Sequence, residues 1–192
     1  MEVSDRGYIL KQIYDKMLVE KLFSQNTYID WMTGLPLDKP DNNIYDPTCK
    51  DSFFTHCSSF VASVCYKLNV PILCPPDHGT EGLANLQYDW LIKKGSDCGW
   101  KEITSSVDAQ NSANNGHLVV ITYRNFNDDN KGHIAIVLPF KTFFILIKLF
   151  GVRICQAGTT NSSSMFATKG FSQKKIKSCK YFCHDIDINK LN

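Results

Sequence analysis

Apolar residues in the first half of the chain recur at the spacing of an α-helix. This pattern predicts an amphipathic helix over residues 8–23. The apolar positions between Phe60 and Leu68 indicate a second helix, and Pro71 is expected to end it because proline cannot continue a helix. After a loop rich in proline and glycine, residues 82–94 have the pattern of a third, short helix.

The pattern changes to that of β-strands after Trp100. Three apolar segments, at 118–123, 133–138 and 152–157, are separated by turn residues, as sequential antiparallel strands would be. The order of helices first and strands second predicts an α+β fold.

The most apolar stretch of the chain, residues 134–152, has nearly the length of a membrane span. Pro139, Lys141 and Lys148 interrupt it, so we interpret it as buried strands with a connecting excursion and expect no integral membrane segment. No signal peptide is visible, because charged residues near the start of the chain interrupt the apolar run that a secretory signal requires. We therefore expect a cytoplasmic protein, or one exported by a route that needs no signal peptide.

The composition is that of one globular domain. Of the 192 residues, 43% are hydrophobic and 12% aromatic, which is enough for one sizeable core but little for two. We expect a single, monomeric domain over residues 1–192, in which residues 1–45 form a helical N-terminal extension. The formal charge of +2 gives no reason to expect nucleic acid as a partner. The eight cysteines show no paired zinc signature, and their redox state stays open.

Cys57 is the best candidate nucleophile in the chain. It stands at the first position of the second predicted helix, within the sequence Thr-His-Cys-Ser-Ser-Phe-Val-Ala. The helix dipole and the unpaired N–H groups of a first helical turn lower the pKa of a thiol, and the same N–H groups can bind an oxyanion. The simpler interpretation is a buried cysteine that packs as a small hydrophobic residue.

A histidine and a glutamine complete a candidate triad. His133 follows Gly132 at the start of a buried strand, where its ring can lie beside a thiol on a helix packed over the sheet. Gln156 lies near the end of the next predicted strand, and its amide oxygen can accept the imidazole N–H and hold the base in its useful tautomer. The alternative for His133 is a side chain that faces solvent.

In their order and context these residues resemble the papain-like cysteine amidohydrolases and peptidases of the CHAP and NlpC type. The sequence Cys57-Ser-Ser-Phe-Val-Ala is similar to the nucleophile motif C-x-x-[FY]-V-A of that family, and residues 132–137 are similar to its base motif G-H-[IV]-A-[IV]-V. Trp100 and the later Asn-Gly-His117-Leu-Val-Val look like the W…G-D-[VL]-[VI]-[VA] strand entry, with His117 in place of the usual aspartate. The likeness covers residues 46–158.

The resemblance implies a papain-like fold, in which the nucleophile helix packs on an antiparallel sheet. It implies a Cys57–His133–Gln156 triad that hydrolyses an amide bond without a cofactor, with the peptide part of bacterial peptidoglycan as the usual substrate. A metal is not expected either, because Cys179, Cys183 and His184 form a single group without the second cluster of a zinc site.

Two parts of the resemblance leave alternatives. Gln156 has the residue type of the family's orienting position, but the apolar excursion at 140–150 precedes it, so Asn161 is the second candidate. The family also uses an upstream polar group to help bind the oxyanion, and no residue here matches it cleanly, so we assign the oxyanion hole to the backbone N–H of Cys57. The upstream residues considered for it are Tyr45, Asp51 and His56.

Two other classes of function remain open at the level of sequence. The same domain could be an intracellular thiol hydrolase or acyltransferase that acts on a protein or a lipid, as the absence of a visible signal peptide suggests. It could also be a catalytically dead binding module. A binding module without activity, however, has little reason to keep both Cys57 and His133.

Overall fold

A six-stranded antiparallel sheet forms the centre of the protein. A computed structural model describes residues 1–25, 27–39, 56–77, 83–127 and 132–190. The strands in these residues are β1 (Tyr28–Ile29), β2 (Pro36–Leu37), β3 (Lys101–Ile103), β4 (Leu118–Tyr123), β5 (His133–Val137), β6 (Arg153–Gln156), β7 (Ser162–Phe166) and β8 (Lys180–His184). The sheet has the order β3-β8-β4-β5-β6-β7, and each neighbouring pair is antiparallel. β1 and β2 form a separate antiparallel pair.

Helices cover both faces of this sheet. The helices in the described residues are α1 (Asp5–Lys16), α2 (Val19–Leu22), α3 (Cys57–Lys67), α4 (Leu83–Lys94), α5 (Ser106–Asn114), α6 (Phe144–Phe150) and α7 (Ala167–Lys175). Leu118 and Val120 of β4 share a core with α1, α3 and α4, whereas Val119 and Ile121 share one with α5, α6 and α7. Because successive side chains of a strand alternate between the faces, the first five residues of β4 are all buried.

The α+β class predicted from the sequence is confirmed, and so are the three strands that define its centre. The segment predicted at 118–123 is β4, and the segments predicted at 133–138 and 152–157 contain β5 and β6 with slightly shorter bounds. The three strands are neighbours in sequence order. Tyr123 lies opposite His133 in the register of β4 and β5.

The prediction of one continuous helix over residues 8–23 is wrong. The chain forms α1, which begins earlier, and the one-turn α2, and the two are separated at Leu18, whose backbone is left-handed with φ of 47°. The Ser4 hydroxyl caps α1 by accepting the N–H of Gly7. The break turns both Val19 and Phe23 into the core, while Leu18 itself is largely exposed.

The second predicted helix ends before Pro71. The last helical residue of α3 is Lys67, and Asn69 then takes a left-handed backbone with φ of 54°. Asparagine tolerates this conformation, and it stops the helix before proline is reached. The third predicted helix, at 82–94, corresponds to α4.

The change to strands after Trp100 is only part of the architecture, because α5, α6 and α7 lie between the strands. The buried residues of α5 are two alanines, Ala109 and Ala113, and two amides, Gln110 and Asn114, so its apolar periodicity is faint. The excursion at 140–150 contains α6, whose sequence is apolar on nearly all sides. α7 is mostly polar and is kinked at Ser172, where φ is 60°.

The N-terminal part of the chain is built into the main core. Leu10 and Tyr14 of α1 are buried in the same cluster as Phe60 of α3. Residues 1–39 also include the strand pair β1–β2, so the helical extension predicted over 1–45 is helical only in part, and residues 40–45 lie outside the described residues.

Among the described residues no helix is long and apolar enough to cross a membrane. The cysteines that the structure describes are all free thiols, namely Cys57, Cys65, Cys74, Cys98, Cys155, Cys179 and Cys183.

Candidate active site

Cys57 is the first residue of α3, as the sequence predicts. The side chain is 7% exposed, and α3 packs over β5 on one face of the sheet. In any α-helix the first N–H groups have no partner within the helix, so the N-terminus of α3 carries a partial positive charge next to the sulfur. The sequence allows a helix to begin here because Ser58 and Ser59 tolerate the first turn, where the Ser59 hydroxyl donates to the backbone carbonyl of His56.

His133 is the first residue of β5, and its side chain interacts with the Cys57 thiol so that the pKa of both groups shifts. The backbone N–H of Ile134, the residue after the histidine, also favours the ionised sulfur and lowers the pKa of the thiol. The end of β5 therefore brings two groups to the thiol, one from a side chain and one from the backbone, and both favour its ionised form.

Gln156 is the last residue of β6 and lies beside His133 on the neighbouring strand. Its Oε1 atom is 2.9 Å from Nε2 of the imidazole, and its side chain is 3% exposed. The Gln156 amide nitrogen donates to the backbone carbonyl of Thr160 at 2.9 Å. Because that carbonyl can only accept, Oε1 must be the atom that faces the histidine.

This hydrogen-bond chain fixes the tautomer of His133. With Oε1 of Gln156 as acceptor, the proton of the neutral ring lies on Nε2, and Nδ1 is left to accept the proton of the Cys57 thiol. A nucleophile, a base and an orienting group thus follow one another from α3 to β5 to β6.

The ionisation of the thiol is favoured by this arrangement. Burial works against a charged sulfur, but the hydrogen bond and the charge of His133 outweigh it, and the N–H of Ile134 adds to them, so the pKa of Cys57 is lowered from its ordinary 9.0. Burial likewise opposes the charged imidazole, yet the contact with Cys57, assisted by Gln156, raises the pKa of His133 above 6.5. The two shifts together favour a thiolate–imidazolium pair.

In five other cysteines the pKa shifts in the opposite direction. Burial raises the pKa of Cys65 and Cys155 far above 9.0, and it raises that of Cys179 to about 12. Burial raises the pKa of Cys74 and Cys183 as well. Among these thiols, only Cys57 is activated.

The helix α7 forms a wall behind the histidine. The ring of Phe171 lies against that of His133, with 4.7 Å between the ring centres. Gly170 touches Gln156 so closely that a methyl group at this position would overlap the amide oxygen. On the other side, a Cβ atom on Gly158 would be 3.2 Å from the edge of the imidazole. The ring and the amide are thus held by packing as well as by hydrogen bonds.

Asn161, the second candidate for the orienting role, does not contact the histidine in the described hydrogen bonds. Its Oδ1 accepts the backbone N–H of Gly158, and its Nδ2 donates to the carbonyl of Phe23 at 2.6 Å. Asn161 therefore anchors the turn that lies beside His133, and Gln156 takes the position expected for the orienting residue.

The remaining candidates are not among the groups that shift the pKa of Cys57, or they lie outside the described residues. His56 precedes Cys57 and is buried; burial lowers its pKa to about 4, so it is neutral at neutral pH. His117 pairs with Asp185 at 3.0 Å. Tyr45 and Asp51 lie outside the described residues.

No group of three or more His, Cys, Asp or Glu side chains in the described residues has the geometry to hold a metal ion. Cys179, Cys183 and His184 are among the residues covered by this statement. His184 instead packs against the ring of Trp100, and its Nε2 contacts the carbonyl of Cys98 at 2.9 Å.

Several parts of the site carry no signal in the sequence. Ile134 and Thr160 contribute through backbone groups, which do not depend on the residue type. Gly170 and Phe171 contact the site only because α7 lies over the end of the sheet. A mostly polar, kinked helix gives too weak an apolar pattern to reveal this position.

No model of a known protein family matches this sequence, and no curated protein matches it significantly.

Proposed function

We propose that this protein is a cysteine-dependent amide hydrolase with a papain-like fold. The observation that carries the proposal is the alignment of Cys57, His133 and Gln156, in which the Gln156 amide oxygen is 2.9 Å from Nε2 of the imidazole and the pKa of the thiol is lowered. A structural cysteine has no need of an oriented imidazole, and the pKa of such buried thiols rises instead, as it does for Cys65 and Cys155.

The proposed reaction begins with attack of the Cys57 sulfur on the carbonyl carbon of an amide. The charge that develops on the carbonyl oxygen is stabilised by the backbone N–H of Cys57 at the start of α3. His133 gives its proton to the leaving amine, the C–N bond breaks, and a thioester remains on Cys57. His133 then takes a proton from water, which attacks the thioester and releases a carboxylic acid and the thiol.

The likeness to the CHAP and NlpC type supports both the fold and the substrate class of the proposal. The nucleophile begins a helix that packs on an antiparallel sheet, and the base and the orienting residue stand on two adjacent strands. By the same likeness we propose the peptide part of bacterial peptidoglycan as the substrate, and a monomer as the active form.

Incubation of the purified protein with peptidoglycan, followed by mass analysis of the soluble fragments, tests this proposal. We expect new amino and carboxyl termini at one type of amide bond, and no release by Cys57→Ala. Equal release by the wild type and Cys57→Ala would contradict thiol catalysis. Intact peptidoglycan, combined with rapid alkylation of Cys57, would exclude this substrate while leaving the thiol chemistry in place.

A further inference from the structure

The helix α6 exposes an unusual number of large apolar side chains. Phe143, which precedes the helix, is 73% exposed, and the residues of α6 that are at least two-fifths exposed are Phe144, Ile145, Leu149 and Phe150. We call these five residues the α6 patch. A single exposed apolar residue is ordinary in a protein surface, but a contiguous group on one short element marks an interaction site.

The patch stands on a firmly anchored helix. Ile147 is 1% exposed and packs in the core formed with α5 and α7. Gly151, which ends α6, is so close to α7 and the turn after it that a Cβ there would be 3.0 Å from Ala167 and 3.2 Å from Ile176. The buried side of α6 is therefore anchored in the core next to α7, and the exposed rings point away from it.

The charges of the chain are unevenly distributed along the sequence that contains this helix. Between residues 131 and 184 there is no aspartate and no glutamate, whereas the remainder of the chain holds all 19 acidic residues. The same segment carries these basic residues: Lys131, Lys141, Lys148, Arg153, Lys169, Lys174, Lys175, Lys177 and Lys180. In the fold, two of these lysines pair with acidic residues from outside the segment, Lys141 with Glu2 and Lys180 with Glu102.

Four of these lysines stand on α6 or on α7. Lys148 lies in α6 itself, with its ammonium group 5.3 Å from the centre of the Phe144 ring. Lys169, Lys174 and Lys175 are exposed on α7, which adjoins α6. Aromatic side chains pointing outward among lysines are typical of helices that lie in the interface of an anionic bilayer.

We propose that the α6 patch docks on the surface of an anionic lipid bilayer, with its phenylalanine rings between the lipid chains and the neighbouring lysines against the lipid phosphates. A seven-residue helix is far too short to span a bilayer, so the protein would lie on the membrane. This surface is separate from the residues that act in catalysis.

The charge pattern favours a lipid surface over a second copy of this chain. A symmetric dimer through α6 places the same patch of both copies face to face, and with it Lys148 of both copies. Their repulsion opposes such a dimer, whereas lipid phosphates neutralise the same lysines.

Co-sedimentation of the full chain with phosphatidylcholine vesicles, with and without phosphatidylglycerol, tests the proposal. We expect strong binding only when the anionic lipid is present, and weaker binding at high salt. The double variant Phe143→Ser/Phe144→Ser should bind at least about tenfold more weakly, because burial of two aromatic rings is lost. Phe126→Ser is the matched control, since Phe126 is also 73% exposed but lies outside the acid-free segment.

A second pair of variants tests the role of charge without touching an apolar residue. Lys148→Glu should weaken binding to the anionic vesicles, whereas Lys67→Glu, at the exposed end of α3, should leave it unchanged. The Cys57→Ala protein should bind as the wild type does, because docking requires no turnover.

Three results would overturn the proposal. The folded wild type could fail to bind anionic vesicles, or the Phe143→Ser/Phe144→Ser protein could bind them as well as Phe126→Ser does. Sedimentation could also show a dimer that the double variant converts to a monomer, in which case a second copy covers the patch.

Discussion

At the scale of single residues, the chemistry depends on which atom each polar group presents. The carbonyl of Thr160 orients the Gln156 amide, the amide oxygen selects the Nε2–H tautomer of His133, and the remaining ring nitrogen serves the Cys57 thiol. Each of these contacts orients the next group, so a change at Thr160 or Gln156 should alter the position of the imidazole beside the Cys57 sulfur.

The first prediction concerns Gln156. Replacing Cys57 or His133 by alanine should abolish turnover almost completely, because nucleophile and base act as a unit. Gln156→Ala should lower kcat on the order of 10- to 1,000-fold, since the amide orients the imidazole without the charge of a carboxylate. Steady-state kinetics on the released amine measures this.

Two control variants separate orientation from structure in that experiment. Gln110→Ala removes another fully buried glutamine, whose amide donates to Asn114 and to the carbonyl of Leu138, and it should lower stability while kcat is retained. Asn161→Ala should lose less activity than Gln156→Ala. If Asn161→Ala is as inactive as His133→Ala while Gln156→Ala is active, the orienting role belongs to Asn161.

The second prediction is a bell-shaped dependence of kcat/KM on pH. The acid limb reflects protonation of the Cys57 thiolate, whose pKa is lowered from 9.0, and the alkaline limb reflects loss of the His133 proton, whose pKa is raised above 6.5. Gln156 stabilises the imidazolium, so Gln156→Ala should shift the alkaline limb to lower pH. If the alkaline limb of Gln156→Ala stays at the same pH or moves to higher pH, Gln156 does not stabilise the imidazolium.

At the scale of elements, the site is the meeting point of α3, α7 and the ends of β5 and β6. α3 brings the thiol to the end of β5, while α7, on the opposite face of the sheet, supports the histidine and the glutamine through Phe171 and Gly170. The position of α7 therefore affects catalysis although none of its residues reacts.

The third prediction tests this role of α7. In Gly170→Ala the new methyl group overlaps the Gln156 amide oxygen, so Gln156 must turn away from the histidine. Activity should fall about as far as in Gln156→Ala, and the double variant Gly170→Ala/Gln156→Ala should lose little more, because both changes break the same contact. Lys169→Ala, at the adjacent exposed position, should be fully active. Additive losses in the double variant would show that Gly170 acts independently of Gln156.

The sequence predicted the elements that follow a clear apolar period. α4, β4, β5 and β6 were found in this way, and because adjacent strands bring their ends together, His133 and Gln156 could be expected side by side. The apolar pattern of the second predicted helix also put Cys57 at a helix N-terminus, where α3 begins. These local patterns were sufficient to propose a triad, although only the three-dimensional structure shows the contacts between its members.

The elements that the sequence did not reveal owe their form to tertiary contacts. α5 buries alanines, α6 is apolar on both its buried and its exposed sides, and α7 is mostly polar, so none has a clear amphipathic pattern. The left-handed backbone at Leu18 breaks the helix predicted over 8–23 at a residue type that ordinarily avoids this conformation.

At the scale of the whole molecule, the N-terminal helices and the sheet share one core. Leu10 of α1 is fully buried in the same cluster as Phe60 of α3 and Ile134 of β5. The residues that precede the proposed nucleophile therefore contribute to the stability of the helix that carries it.

The fourth prediction follows from this shared core. Leu10→Ala should lower the free energy of unfolding by about 2–5 kcal/mol, because it leaves a cavity in a closely packed interior. Unfolding in urea should remain a single transition for wild type and variant. Ile9→Ala, at an exposed position of the same helix, should change the stability by less than about 0.5 kcal/mol. Two separate transitions, with only the first one shifted by Leu10→Ala, would mean that the N-terminal helices form an independent unit.

The activated thiol can be tested most directly by the rate at which iodoacetamide alkylates each cysteine at neutral pH, followed by mass spectrometry. An ordinary thiol with a pKa of 9.0 is only about 1% ionised at pH 7, whereas Cys57 is paired with His133. Although Cys57 is only 7% exposed, it should react before the other cysteines, and His133→Ala should slow it at least about tenfold while His117→Ala does not. Uniform alkylation of all cysteines, or a Cys57 rate unaffected by His133→Ala, would contradict the thiolate–imidazolium pair on which the proposed function rests.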